Sequence, residues 1–182
     1  MKVAVLLADG FEEIEALTPK DVLSRVQIQC DLISIKGNVE VTGANGVTVL
    51  ADRTFNEINI GTYDAIVLPG GMPGAKYLSE DPRVIETVRL FDAAHKIIGA
   101  ICAAPALVLP RAGITRGRKI TCYPGMEDNL KQADFSTEIV AEDDNLITSR
   151  GPATALAFSY KLVEKLGKTS KTVSNGMLYN LI

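Results

Sequence analysis

Four short apolar runs constrain this chain more than any other feature: KVAVLLA (2–8), QCDLISI (29–35), DAIVLPGG (64–71) and KIIGAICA (96–103). Each is rich in Val, Ile and Leu with little alternation, the pattern of parallel strands covered on both faces. Helical segments lie between them. In FEEIEALTPKDVLSRV, residues Ile14, Leu17, Val22 and Val26 share one helix face. In DPRVIETVRLFDAAH, Asp81 serves as the N-cap and Pro82 takes the first helical position. Strand and helix in repeated succession predict an α/β fold, with a mostly parallel sheet and helices on both faces.

The remaining segments fit around that frame. VEVTGANGVTVLADRTF (39–55) sets two β-prone runs around GANG and predicts a small antiparallel hairpin at one edge. RKITCYP (118–124) and TEIVAEDDNLITSRGP (137–152) supply further strands, the second a hairpin over EDDN. ATALAFSYKLVEKLG (153–167) is an amphipathic helix closed by Gly167, and SKTVSNGMLYNLI (170–182) forms a last short helix. With 182 residues, no linker and no internal repeat, residues 1–182 are expected to form one domain.

Composition removes several classes of function. A net charge of −3 with no basic cluster argues against a nucleic-acid or anionic-membrane partner. Cys30, Cys102 and Cys122 form no C-x-x-C pair, so neither a disulfide framework nor a metal site is expected. The apolar start MKVAVLLA is ended by Asp9, too early for a signal peptide, and no run is long enough to span a bilayer. These features together predict a soluble, cytoplasmic protein.

In open α/β sheets, ligands bind where loops leave the carboxyl ends of the strands. DGFEEIE, PGGMPG, Cys102 and SRGPAT (149–154) all fall on that edge. Cys102 sits on the corner between a strand and a helix, in the frame Ala100-Ile101-Cys102-Ala103-Ala104. Small residues two before and two after let such a corner close tightly and present the side chain, as in a nucleophile elbow. The helix start is expected to lower the thiol pKa and favour thiolate. Gly70 and Gly71 leave backbone N–H groups unobstructed, so that one of them and the N–H of Ala103 form an oxyanion hole beside the thiol. Of Glu12, Glu13 and Glu15, one buried beside the thiol would have a raised pKa, and spacing does not select which. The single histidine, His95, precedes the strand that ends at Cys102, so it lies roughly 20 Å away at the opposite end of the sheet. A Cys–His pair within the chain is thereby excluded. Cys30 reads as core. Cys122 reads as a quiet core or pocket residue, with a resolving thiol as the alternative, and Arg150 as either a structural partner or a contact for an anionic substrate.

GFEEIEALTP, YDAIVLPGGMPGA, IGAICAAPALVL and LITSRGPATALAF, in this order and spacing, resemble the DJ-1/ThiJ/PfpI superfamily, most closely its DJ-1/YajL/ThiJ branch. The resemblance implies a flavodoxin-like three-layer sandwich and a homodimer. It implies that Cys102 is the nucleophile, Glu15 its acid partner, and Gly71 and Ala103 the oxyanion donors. Gly151 and Pro152 match the loop lining the same pocket. Where many relatives carry histidine in the loop matching TCYPG, this chain has Tyr123, a poor base at neutral pH. Proton transfer then falls to Glu15, Cys102 or water. The peptidase branch carries histidine directly after the cysteine, where Ala103 stands here. The implied activity is that of a glyoxalase or deglycase acting on methylglyoxal, glyoxal or early glycation adducts without glutathione, metal or other cofactor. The alternative is a redox sensor through oxidation of Cys102.

Overall fold

The computed structural model describes residues 1–181; the end of the expected last helix, Ile182, lies outside the described residues. Its strands are β1 (Lys2–Leu7), β2 (Gln29–Ser34), β3 (Glu40–Thr42), β4 (Thr48–Leu50), β5 (Arg53–Thr54), β6 (Ala65–Leu68), β7 (Ile97–Ile101), β8 (Lys119–Ile120), β9 (Asp134–Phe135), β10 (Val140–Asp143) and β11 (Leu146–Ser149). The helices are α1 (Glu13–Arg25), α2 (Gly74–Glu80), α3 (Pro82–Ala93), α4 (Ala104–Ala112), α5 (Ala155–Lys165) and α6 (Ser170–Gly176).

The main sheet runs β10-β11-β7-β6-β1-β2-β5, and every neighbouring pair is parallel except the β10–β11 hairpin. Counting only the long parallel strands β1, β2, β6, β7 and β11, the spatial order is 2-1-3-4-5, the flavodoxin-like arrangement. The chain reverses its direction of travel across the sheet between β1 and β6, which opens a crevice above their carboxyl ends. Strands β1 and β6 are buried almost throughout, as apolar runs without alternation require. Helices α1 and α5 pack together on one face of the sheet, and α2, α3 and α4 cover the other. Gly99 lets α5 approach, since a methyl there would stand 2.9 Å from Cζ of Phe158.

Most element boundaries follow the local chemistry. The Asp81 carboxylate accepts from Arg83 N–H at 2.8 Å and caps α3, with Pro82 at its first position. Gly167, at φ +75°, follows the end of α5.

Three expectations are corrected. Of the four residues expected on the buried face of α1, Val22 is buried and Leu17 and Val26 pack partly buried against the core, but Ile14 is 54% exposed. In the first turn Glu13 and Glu15 take the inward positions instead. The expected antiparallel hairpin around GANG forms as β3–β4, but it pairs as a two-stranded sheet of its own, and of this segment only β5 joins the main-sheet edge. RKITCYP contributes just the two residues of β8, paired in parallel with β9 away from the main sheet.

Candidate active site

Three βα turns meet above the carboxyl ends of β1, β6 and β7. The turn after β7 carries Cys102 at φ +64°, in the left-handed region that a non-glycine residue seldom occupies. Its backbone is held from both sides: Cys102 N–H donates to Ser149 O at 3.0 Å, and Cys102 O accepts from Tyr123 N–H at 2.8 Å. The ends of β11 and of the Tyr123 loop thus hold the corner in a conformation it would otherwise disfavour.

The three glutamates left open by their spacing have three different roles. Glu12 caps α1, accepting from Glu15 N–H at 2.8 Å. Glu13 turns to the β3–β4 hairpin, where Asn45 donates to it from its backbone N–H and from Nδ2, both at 2.8 Å. Burial works against the charged form of Glu13, but these donations outweigh it and leave its carboxyl below the ordinary value. Glu15 is fully buried beside Cys102.

Glu15 Oε2 accepts from Gly70 N–H at 2.8 Å, while Oε1 is buried with no hydrogen-bond partner among the described residues. Burial pushes this carboxyl up to about 7, opposed by its contact with Cys102 and by the Gly70 N–H, and reinforced by the nearby Glu12 charge. The Cys102 thiol is pushed up to about 12, first by burial and then by the charge and proximity of Glu15. The backbone N–H groups of Gly71 and Ala103 face the sulfur and draw it the other way, too weakly to prevail. The expected lowering of the thiol pKa is therefore reversed. A helix start contributes only about 0.3–1 kcal/mol to a neighbouring charge, less than the cost of burying a thiolate beside a carboxylate. Burial and mutual charge disfavour a thiolate and a carboxylate side by side, so the two groups titrate as a coupled pair in which the acid can exchange a proton with the sulfur or with a ligand.

The two glycines of the PGG turn do separate work. Gly70 supplies the Glu15 contact, and Gly71, at φ +85°, turns its N–H toward Cys102. Above the thiol opens a cavity of about 410 Å³. It is lined by Gly71, Met72, Cys102 and Ala103 from the two turns and by Tyr123, Pro124 and Met126 from the loop after β8. Met72, Pro124 and Met126 were not singled out from the sequence, although all three adjoin the glycines in GGMPG and YPGM.

The remaining candidates fall outside this cavity. Gly151 backs onto it: a methyl there would meet the Tyr123 ring at 3.4 Å. Pro152, expected in the same pocket, instead lines a separate groove with Ile14, Leu17 and Leu156, because the chain has by then turned toward α5. Cys122 is fully buried, its Sγ 3.4 Å from Tyr123 O, and burial pushes its thiol up to about 11. Arg150 acts on Cys122, and its Nη1 is buried without a partner among the described residues. Cys30 is a core residue in β2. His95 lies before β7 and its Nδ1 is 3.0 Å from Asp144, at the far end of the sheet from the thiol. Among the described residues, no cluster of His, Cys, Asp and Glu could hold a metal ion, and no helix is long and apolar enough to cross a membrane.

A flavodoxin-like sheet with a cysteine on the turn after its fourth long strand, beside a buried carboxyl from the helix that follows its first, defines a class of thiol-bearing α/β domains. The chain belongs to the DJ-1/PfpI family, whose pattern it matches over residues 1–165. It is 36% identical over 180 residues to protein dj-1beta of Drosophila melanogaster, covering 96% of this chain and 95% of that protein. It is 34% identical over 169 residues to a protein of Pyrococcus abyssi named as a deglycase, covering 91% and 99%. DJ-1 homolog B of Arabidopsis thaliana is much longer: the 37% identical match covers 90% of this chain but 37% of that protein. Among solved structures, oxidized DJ-1 of Toxoplasma gondii superposes with a TM-score of 0.92 at 33% identity, covering 97% of each chain.

Proposed function

We propose that this protein is a cysteine-dependent, glutathione-independent glyoxalase or deglycase acting on reactive aldehydes or their early glycation adducts. The observation that carries the reading is the buried Glu15 carboxyl, pushed up to about 7 against the Cys102 thiol, with two backbone N–H groups facing the same sulfur. The similarity to a protein named as a deglycase supports it.

Glu15 as carboxylate takes the thiol proton while sulfur adds to the aldehyde carbon. The new S–C bond displaces the carbonyl π pair onto oxygen, where the Gly71 and Ala103 N–H groups receive the charge. Glu15 returns the proton to that oxygen, giving a hemithioacetal. With methylglyoxal, Glu15 then takes the carbon-bound proton to leave an enediol and delivers it to the neighbouring carbon, while the hydroxyl proton passes to that carbon's oxygen, and the adduct becomes a lactoyl thioester. Water cleaves the thioester to lactate and restores the thiol. The sum is one aldehyde plus one water to one hydroxy acid, with the oxidation of one carbon balanced by reduction of its neighbour. Deglycation shares the adduct and releases the amine.

The test is methylglyoxal consumption by wild type and Cys102→Ser without glutathione, with the product identified by NMR. Lactate from wild type alone supports the reading; no turnover by wild type with an intact thiol ends it. Redox sensing at Cys102 is the second reading, favoured by the structural match to an oxidized DJ-1 and tested by peroxide titration with peptide mass mapping. It fails if Cys102 oxidises no faster than Cys30 or Cys122. A peptidase reading lacks the histidine base of that branch, since the single histidine pairs with Asp144. A homodimer and a cytoplasmic location belong to the same proposal, on family kinship alone.

A further inference from the structure

The segment that carries Tyr123 pairs with no strand of the main sheet. Its two β8 residues pair only with β9, so the N–H groups it turns toward the main sheet need other acceptors. Alternate residues find them. Lys119 N–H donates to Asp143 Oδ2 at 2.8 Å, Thr121 N–H to Thr148 Oγ1 at 3.0 Å, and Tyr123 N–H to Cys102 O at 2.8 Å. A spacing of two is that of an extended chain with one edge facing its neighbours. The segment thus runs from the last residue of β10, past β11, to the corner after β7.

The middle contact rests on a single side-chain oxygen. Thr148 and Thr121 are both fully buried, so removing that oxygen would leave Thr121 N–H without an acceptor. Thr148 follows Leu146 and Ile147 in β11, and Val has the same branched shape as Thr. A strand asked only to fill the core would gain from Val here, since the hydroxyl is costly to bury. What Thr adds is the acceptor for Thr121 N–H. Two residues further on, the same segment holds the carbonyl of Cys102, whose backbone lies at φ +64°. The next residue of β11, Ser149, takes the Cys102 N–H with its own carbonyl. Both sides of the cysteine corner therefore hang from the end of β11, one directly and one through the Thr148 hydroxyl.

We propose that Thr148 is a positioning residue for Cys102: it fixes the Tyr123 segment and, through the Tyr123 N–H, keeps the cysteine corner in its left-handed conformation. Its relevance to turnover rests on the reading of Cys102 as the reacting nucleophile. Thr148 does not line the cavity above the thiol, so it acts only through the backbone that it holds. Released from this hold, the corner would relax toward a commoner backbone conformation and carry the sulfur away from its donors.

Thr148→Val keeps the shape and deletes the acceptor, whereas Thr148→Ser keeps the acceptor. Thr87→Val is the matched control, because Thr87 is also buried and its Oγ1 donates to Arg83 O within α3. For each variant, kcat and KM with methylglyoxal are measured beside amide hydrogen exchange by NMR. Thr148→Val is expected to lower kcat by about tenfold or more, beyond any rise in KM, because displaced reacting groups lose transition-state stabilisation. The Tyr123 and Cys102 amide protons are expected to exchange about tenfold faster or more. Thr148→Ser should restore both readouts, and Thr87→Val should move neither. Unchanged exchange at Cys102 in Thr148→Val overturns the proposal. So does an unchanged kcat in an active enzyme, a Thr148→Ser that restores nothing, or an equal loss in Thr87→Val. If the wild type turns over no aldehyde, exchange alone decides: faster exchange at Cys102 in Thr148→Val, restored in Thr148→Ser, upholds the positioning role while the glyoxalase reading falls. Should Thr148→Val not fold, native-state exchange of the wild type decides. Thr121, Tyr123 and Cys102 amides opening in one step support the proposal, and a Cys102 amide still protected after the other two have exchanged overturns it.

Discussion

Gly70 and Cys102 approach so closely that no side chain fits between them. A methyl on Gly70 would stand 2.6 Å from Cys102 Cβ and 2.7 Å from Glu15 Oε2, while the Gly70 N–H holds the Glu15 carboxyl. One residue without a side chain thus sets the spacing between the candidate nucleophile and its acid.

Gly70→Ala is expected to force the β6 and β7 turns apart and to cost about 1–3 kcal/mol of stability through overpacking. Turnover should fall further than stability does, to the level of Cys102→Ser. Chemical denaturation beside methylglyoxal assays will check both, and a Gly70→Ala enzyme with more than half of wild-type activity would refute the spacing argument.

Glu15 links stability to pH. Its folded carboxyl is raised from 4.5 to about 7, so between those values the folded state binds more protons than the unfolded state. Stability is therefore fully present below about 4.5 and is lost as pH rises through about 7, by up to about 3 kcal/mol. Denaturation midpoints of wild type should fall between pH 5 and 8 relative to Glu15→Gln, which has no such group to titrate.

The same variant separates charge from burial at the thiol. Glu15 raises the Cys102 pKa by its charge and by its proximity, after burial. Glu15→Gln should therefore titrate Cys102 at lower pH, measured by thiolate absorbance near 240 nm against a Cys102→Ser blank, while turnover falls by about 10²–10⁴ for want of the proton carrier. A thiol that titrates higher in Glu15→Gln would contradict the assigned cause.

Asn45 anchors the hairpin tip to the first turn of α1 through Glu13. Asn45→Ala removes the Nδ2 donor and leaves a buried carboxylate oxygen unpaired, at a cost of about 1–3 kcal/mol. Amide hydrogen exchange should accelerate at residues 43–47 before it does in β1 or β6; uniform protection would show that the hairpin does not depend on this contact.

The sheet and the meeting of the turns after β1, β6 and β7 at Cys102 were legible because they depend on chain order, whereas the choice of Glu15 among three glutamates and of Gly71 between two glycines came from the family resemblance. Apolar runs without alternation read as buried parallel strands, and loops after such strands meet at one edge whatever their sequences. The exposure of Ile14 was not legible, because Glu13 and Glu15 occupy inward positions in the first turn of α1 that polarity rules assign outward. The elevated thiol pKa was hidden for a related reason. Helix starts are visible in a sequence, whereas burial and the direction of a carboxylate are not. Pro152 was assigned to the wrong cavity because adjacency in the chain to Gly151 says nothing about which way the backbone next turns.

Cys102 occupies a backbone conformation that suits glycine better than any residue with a β-carbon. Replacement by glycine would relax the turn and delete the thiol in the same step, so the more comfortable sequence at this corner is the inert one. The fold tolerates a standing local penalty to keep a sulfur at the mouth of the sheet, and selection for stability alone would remove it.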